Sequence, residues 1–124
     1  MDKNLSHTVK TVTEISAQRL DEVLDSAWAG GCNYFVERLE RITTTLDRAL
    51  PWLGDHKGSG LCYRVMVGDD PETYQLDWKT LGEGLNVMAR DFPKHFQDLV
   101  DENDDANTAD ILVQCSLFGK MIYG

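Results

Sequence analysis

The chain has 124 residues, a length typical of one globular domain, and its proportions of hydrophobic (42%) and charged (27%) residues are ordinary for a folded protein. Its 21 acidic and 12 basic residues give a formal net charge of −9, which disfavours general binding to nucleic-acid phosphates. Composition therefore excludes collagen-like, disordered and coiled-coil chains. It indicates one compact acidic domain over residues 1–124, with residues 1–7 loosely held.

The cellular compartment is inferred from the lack of recognisable targeting signals and from the number of cysteines. We find neither an apolar signal-peptide core near the N-terminus nor the roughly eighteen consecutive apolar residues that a membrane-spanning helix needs. The cysteines number only three, Cys32, Cys62 and Cys115, and this small, odd number argues against a disulfide framework. We therefore expect a cytoplasmic protein with reduced thiols.

The first elements are predicted to be an extended segment, a helix and a strand. Threonine and valine residues favour an extended conformation over 8–15, after which Ser16 is a suitable helix N-cap. A helix is predicted over 17–29 because apolar residues recur with helical spacing, and the glycine pair that follows would end it. The next residues fit both a helical spacing and a β-branched strand, and we predict a strand over 33–43.

The middle of the chain is predicted to be a loop followed by a β-hairpin. Glycine, proline and serine residues are typical of a loop over 51–60. Two strands are predicted over 61–67 and 73–76, joined by a turn whose glycine, aspartates and proline lie at 68–71.

Two helices are predicted to follow the hairpin. Asp77 is a suitable N-cap for the first of them, which should end near Phe92 because the residue before Pro93 is biased away from the helical conformation. A short helix is then predicted over 93–101. The core face of the first helix is predicted to consist of Trp78, Leu81, Leu85, Met88 and Phe92.

The last predicted helix spans 108–122 and is capped by Asn107 or Thr108. Its predicted apolar stripe consists of Ile111, Cys115, Phe118 and Ile122. A helix, then strands, then a helical C-terminal half is the order typical of an α+β fold. We expect a small antiparallel sheet with helices packed on one face.

The clearest local signal is an acidic segment over 91–110, where seven acidic residues against one lysine give a net charge of −6. Such a segment is complementary to a basic groove on a partner. The alternative is a solvated helix junction whose acids lie favourably at the N-terminus of the last helix. The candidate partner-binding acids are Asp98, Asp101, Glu102, Asp104, Asp105 and Asp110. Tyr34 and Trp52 are candidate aromatic anchors, although large aromatic residues more often belong to a core.

Metal-binding and catalytic patterns are weak. Asp101, Asn103, Asp105 and Asn107 alternate as at the start of an EF-hand calcium loop, but the glycine and the final glutamate of that loop are both missing. No pair of cysteines or histidines has zinc-ligand spacing, and no phosphate-binding or nucleophile motif occurs. We therefore expect no metal, no cofactor and no enzymatic activity.

Two stretches carry recognisable motifs. Residues 29–35 are AGGCNYF, and residues 109–124 are ADILVQCSLFGKMIYG. They resemble the GG-x-N-Y-W stretch and the terminal A-D-x-x-x-Q-x-x-L-F-G-E-x-x-Y-G motif of a broad set of small uncharacterised proteins encoded by bacteriophages, prophages and other mobile elements. This chain departs from that pattern at Phe35, where tryptophan is usual, and at Lys120, where glutamate is usual.

The resemblance implies a setting but no catalytic residues. Small acidic phage proteins often disable host defences, so the leading hypothesis is an inhibitor of a CRISPR effector or restriction enzyme. In its most specific form it is an anti-CRISPR protein that imitates nucleic-acid charge. One alternative is a protein that sequesters a nucleotide signal, with an anion site near residues 30–34 or at a dimer interface. The other is a structural or regulatory homo-oligomer, most simply a homodimer.

Overall fold

The computed structural model describes residues 6–7, 12–41, 62–68 and 72–124. These residues form three β-strands and four α-helices, mostly in the C-terminal half, which confirms the predicted α+β class. The predicted loop over 51–60, which includes Trp52, lies outside the described residues.

The first helix, α1, spans Ala17–Ser26 and begins where the sequence predicts. Ser16 has an extended backbone, and its Oγ accepts a hydrogen bond from the backbone N–H of Arg19 at 3.1 Å. This bond satisfies one of the free donors of the first turn. The buried residues of the helix follow the predicted apolar spacing and are Leu20, Val23 and Leu24.

A π-helical turn, Ala27–Gly31, extends α1 instead of a regular helical end. It is closed by a hydrogen bond from the N–H of Cys32 to the carbonyl oxygen five residues earlier, at 3.0 Å. Gly31 lies against the backbone of the last helix. A Cβ at this position would be 2.6 Å from the carbonyl oxygen of Ala106, so the close approach requires glycine.

Three antiparallel strands form one sheet in the order of the chain: β1 (Val36–Arg41), β2 (Cys62–Val67) and β3 (Thr73–Asp77). In the central strand Val65 pairs with Leu39 on one side and with Tyr74 on the other. These side chains face the helices and contribute to the core. The opposite face carries Arg64, which forms an ion pair with Glu40 at 3.4 Å.

The first strand is shorter than the sequence predicts. Residues 33–35 form a turn, and β1 begins at Val36, so the predicted start at residue 33 is wrong. The turn is held by hydrogen bonds from the N–H groups of Phe35 and Val36 to the carbonyl of Cys32. The predicted end at residue 43 lies outside the described residues.

Three helices follow the sheet: α2 (Trp78–Asp91), α3 (Pro93–Val100) and α4 (Ala106–Phe118). Asp77 caps α2 as predicted: its carboxylate accepts from the N–H of Thr80 at 2.9 Å, and the Thr80 hydroxyl accepts from the N–H of Asp77 at 2.7 Å. Phe92 separates α2 from α3 with a non-helical backbone, which confirms the predicted break before Pro93.

The boundaries of α4 differ from the prediction. Its N-cap is Asp105, not Asn107 or Thr108, because Asp105 has the extended backbone and accepts from the N–H of Thr108 at 3.0 Å. Thr108 instead completes a reciprocal capping box from the third position. The helix ends at Phe118, so Ile122 is not part of it and is 52% exposed.

The last helix, α4, is the centre of the fold. It contacts all three other helices, the π-helical turn and β3. Residues 108–116 are buried without interruption, so the predicted single apolar stripe is wrong: the helix is covered on all sides. The helix also packs closely against α2, where a Cβ on Gly84 would be 2.7 Å from the Cα of Ser116.

Candidate functional site

The acidic segment does not form one continuous carboxylate surface, because several of its acids have structural partners. Asp91 is held by the guanidinium of Arg90, with hydrogen bonds of 2.8 and 2.9 Å. This contact holds the pKa of the Asp91 carboxyl below its usual range. The charge available to a partner is therefore smaller than the sequence suggests.

Asp104 is used to join two parts of the fold. Its carboxylate forms an ion pair with the guanidinium of Arg19 on α1, and both side chains are largely buried. The same guanidinium donates to the carbonyl oxygen of Leu99 at 3.0 Å. Asp104 therefore anchors the connector between α3 and α4 to α1. Neutralising Asp104 would leave the largely buried Arg19 with only the exposed Glu22 as an ion-pair partner among the described residues, so this substitution should disturb folding before it affects binding.

Asp105 also has a structural role, as the N-cap of α4. The backbone N–H of Thr108 is the main reason that the pKa of its carboxyl lies below the usual value, and its hydroxyl adds to the effect. A negative charge at this position is favourable next to the N-terminus of the helix. This outcome agrees with the helix-junction interpretation of the segment.

Asp110 is wrongly predicted as part of an exposed acidic surface. It is buried, and its carboxylate accepts hydrogen bonds from the hydroxyl of Tyr34 at 2.6 Å and from the side-chain amide of Gln114 at 2.8 Å. The thiol of Cys32 lies 3.9 Å from the same carboxylate. The sequence shows that Asp110 and Gln114 lie one helical turn apart and can interact. It does not show that Asp110 also contacts Cys32 and Tyr34, which lie in the first half of the chain.

Three candidate acids remain available: Asp98, Asp101 and Glu102. None of them forms an ion pair with a lysine or arginine in the part of the chain that the structure describes. Asp98 is half-buried and the other two are exposed. Asp101 accepts a hydrogen bond from Gln97 at 3.0 Å. We call these three residues the α3 acidic surface.

The α3 acidic surface lies at the C-terminal end of its helix, where negative charge is unfavourable. The helix dipole places a partial negative charge there, and the last turn of α3 contains no basic residue. The residue after the C-cap, Glu102, has a φ of 61°, and the N–H of the following Asn103 bonds to the carbonyl of Asp98 at 2.8 Å. This is a Schellman ending, in which glycine usually holds the position of Glu102.

The two motif stretches meet in the fold and are joined by Gln114. Its amide nitrogen lies within hydrogen-bond distance of the Tyr34 hydroxyl and the Tyr123 carbonyl, each at 3.1 Å. Its carbonyl oxygen accepts from the backbone N–H groups of Ile122 and Tyr123, each at 2.8 Å. Gln114 is fully buried and holds residues 121–124 against α4. No local pattern in the sequence predicts this role for Gln114.

Exposed apolar groups surround this junction. Tyr34 is 55% exposed and Ile122 is 52% exposed, while the ring of Tyr123 stacks on Phe35 with centroids 4.9 Å apart. Burial and the Asp110 carboxylate raise the pKa of Tyr34 to about 12. The predicted anchor Tyr34 is therefore at the surface, whereas Trp52 is outside the described residues.

The loop near residues 30–34 is a poor place for an anionic ligand. Its nearest ionisable group is the Asp110 carboxylate, which bonds to Tyr34 and lies beside Cys32. Burial, and then this carboxylate, raise the pKa of the Cys32 thiol. A phosphate here would be repelled by the same charge, so this geometry weakens the nucleotide-binding alternative at this position.

An apolar groove of about 260 Å³ lies between the residues before α1, one face of α2 and the start of α3. Trp78 forms part of its wall and is 37% exposed, so its predicted place in the core is wrong. The reason is that Trp78 lies on the groove side of α2, whereas Leu81 and Met88 lie on the buried side. The sequence pattern does not distinguish these two apolar sides.

The described residues contain neither a candidate metal site nor a membrane-spanning helix. No group of three or more histidine, cysteine, aspartate or glutamate side chains among the described residues is placed to hold a metal ion. Within those residues, no helix has the length and apolar character that crossing a membrane requires. The three cysteines are buried and form no disulfide among the described residues, and burial raises the pKa of Cys115 to about 11, which disfavours a reactive thiolate.

Comparison of the chain with protein-family models, with curated proteins and with solved structures finds no match.

Proposed function

We propose that this protein binds a basic surface of a protein partner through the α3 acidic surface and thereby blocks the partner's access to nucleic acid. The observation that carries this proposal is the position of Asp98, Asp101 and Glu102. All three are placed where the helix dipole opposes them, and none is paired with a cation within the described residues. Residues that lower the local stability of a fold occur most often at functional sites, so these acids are candidates for binding a partner.

The phage-like motifs favour a specific form of this function. On that resemblance, the partner is a host defence complex, and the protein is a stoichiometric inhibitor of the anti-CRISPR type. A net charge of −9 supports rapid association with a surface that holds DNA or RNA through lysine and arginine. The inhibitor itself does not bind nucleic acid in this proposal, because like charges repel.

The test is a measurement of target-DNA binding by purified CRISPR effector complexes and restriction enzymes, with and without the protein. The variant combines Asp98→Asn, Asp101→Asn and Glu102→Gln. We expect inhibition by the wild type and roughly tenfold weaker inhibition by the variant at low salt, with a smaller difference at high salt. Asp104 and Asp105 are left unchanged because both have structural roles.

The matched control removes the same amount of charge elsewhere, through Asp25→Asn, Glu37→Gln and Glu83→Gln. These residues are exposed and lie outside the α3 acidic surface. The control should inhibit nearly as well as the wild type. Equal losses in both variants would show that only net charge matters, and equal inhibition by all three proteins would exclude the α3 acidic surface as the binding site.

A homodimer is a second candidate, favoured by the exposed side chains of Tyr34 and Ile122 next to the stacked ring of Tyr123. Apolar groups clustered in this way are typical of protein interfaces. Light scattering on the purified protein should then give twice the mass of one chain, and Ile122→Ser should return the monomer. A wild-type protein that remains monomeric at high concentration would exclude this candidate.

A further inference from the structure

The apolar groove has one wall made by a single face of α2. Trp78, Gly82, Leu85 and Ala89 recur with helical spacing along this wall, and Phe96 of α3 also lines the groove. Trp78, which is 37% exposed, is part of this wall. A hollow of about 260 Å³ is large enough for one aromatic or long aliphatic side chain, although it is below the range of drug-sized ligand pockets.

Gly82 lies in this wall and has no packing reason to be glycine. Within the described residues, a Cβ built on Gly82 meets no atom within 4 Å, whereas a Cβ on Gly84 would collide with the backbone of Ser116. Both residues are inside α2, where glycine is less favourable than alanine. The close contact with α4 explains Gly84, while Gly82 keeps the groove open at a cost to the helix.

A second hollow with acidic lining residues adjoins the groove at Ile15. The two hollows share Ile15, and the second is lined by Glu14 and Glu102. Arg19 also lines it, but its guanidinium is already paired with Asp104 and Glu22. Glu14 and Glu102, which form no ion pair within the described residues, therefore place negative charge beside one end of the groove, and Glu102 also belongs to the α3 acidic surface.

We infer that the groove binds an apolar side chain carried by a basic segment of the protein partner, with the flanking lysines or arginines lying over Glu14 and Glu102. This inference rests on the proposed function, since it adds an anchor to the same acidic surface. The charge of the second hollow selects a basic polypeptide over a neutral or anionic small molecule. Gly82 is the residue that determines how large an anchor can enter.

The test uses three synthetic peptides and two-dimensional NMR of the isotope-labelled protein. The first is lysine-rich with one central phenylalanine, the second has alanine in place of the phenylalanine, and the third keeps the phenylalanine but has glutamine in place of the lysines. We expect the first to bind roughly tenfold more tightly than either of the others. Its signals should change at Gly82, Asn86 and Ala89 as well as at Glu102.

Gly82→Leu fills the groove, and Gly82→Ala fills it partly with less risk to folding. Both variants should bind the phenylalanine peptide with less preference over the alanine peptide than the wild type does. The leucine variant should bind the two peptides equally. The matched control is Gln18→Leu, which adds a leucine at an exposed neutral position of α1 outside the groove. It should bind all three peptides like the wild type.

Several results would overturn the inference while leaving the proposed function intact. One is equal binding of the phenylalanine and alanine peptides, with changes confined to the α3 acidic surface. Another is a protein that inhibits a defence complex but binds none of the peptides. Equal binding of the lysine and glutamine peptides would overturn the basic character of the partner segment. Failure of the proposed function itself would appear instead as absent inhibition in the effector experiment.

Discussion

Glu102 adopts a backbone conformation in which a side chain is unfavourable. At a φ of 61° the Cβ is crowded by the backbone, and the carboxylate lies at the negative end of α3. We predict that Glu102→Gly raises the free energy of unfolding by about 1 kcal/mol, measured by urea denaturation. The same substitution should weaken inhibition, because it removes one carboxylate of the α3 acidic surface.

The control for this prediction is Glu102→Ala, which removes the charge but keeps the Cβ. Its stability should change much less than that of the glycine variant. Equal stabilisation by alanine and glycine would show that the charge, and not the backbone, is unfavourable at residue 102.

Substitution by alanine should have opposite effects on protein stability at the two glycines of α2, Gly82 and Gly84. Gly82→Ala should stabilise the protein by about 1 kcal/mol, because the methyl group enters open space in a helix. Gly84→Ala should destabilise it by roughly 1–3 kcal/mol, because α4 must move away from the added Cβ. Thermal unfolding of the two variants tests both values. If Gly84→Ala stabilised the protein, α2 and α4 would be less tightly packed at Ser116 than the contact distances indicate.

The net charge of the whole molecule lowers its stability through self-repulsion. We predict that sodium chloride raises the melting temperature, and that the triple variant of Asp98, Asp101 and Glu102 melts higher than the wild type at low salt. Added salt should then have a smaller effect on the variant. Scanning calorimetry at several salt concentrations measures this. A variant that melts lower than the wild type would show that these carboxylates have stabilising partners.

The sequence predicts the elements of this fold better than its candidate sites. The N-caps Ser16 and Asp77 and the break at Phe92 are local signals, because each depends on residues within one helical turn. The burial of Asp110 depends on Tyr34, a hydrogen-bond partner 76 positions away, and charge patterning carries no information about such a partner. Local rules likewise cannot show that α4 is covered on every side.

The position of α4 also affects how the protein is made. This helix contacts all the other described helices and β3, so those elements lack their shared packing partner until residues 106–118 have left the ribosome. Synthesis adds about 5–20 residues per second, and for those seconds the apolar side chains of α1, α2 and the sheet remain accessible to chaperones and proteases. Folding of this domain therefore waits for the synthesis of α4, and a chain truncated before α4 should be degraded without acquiring a stable structure.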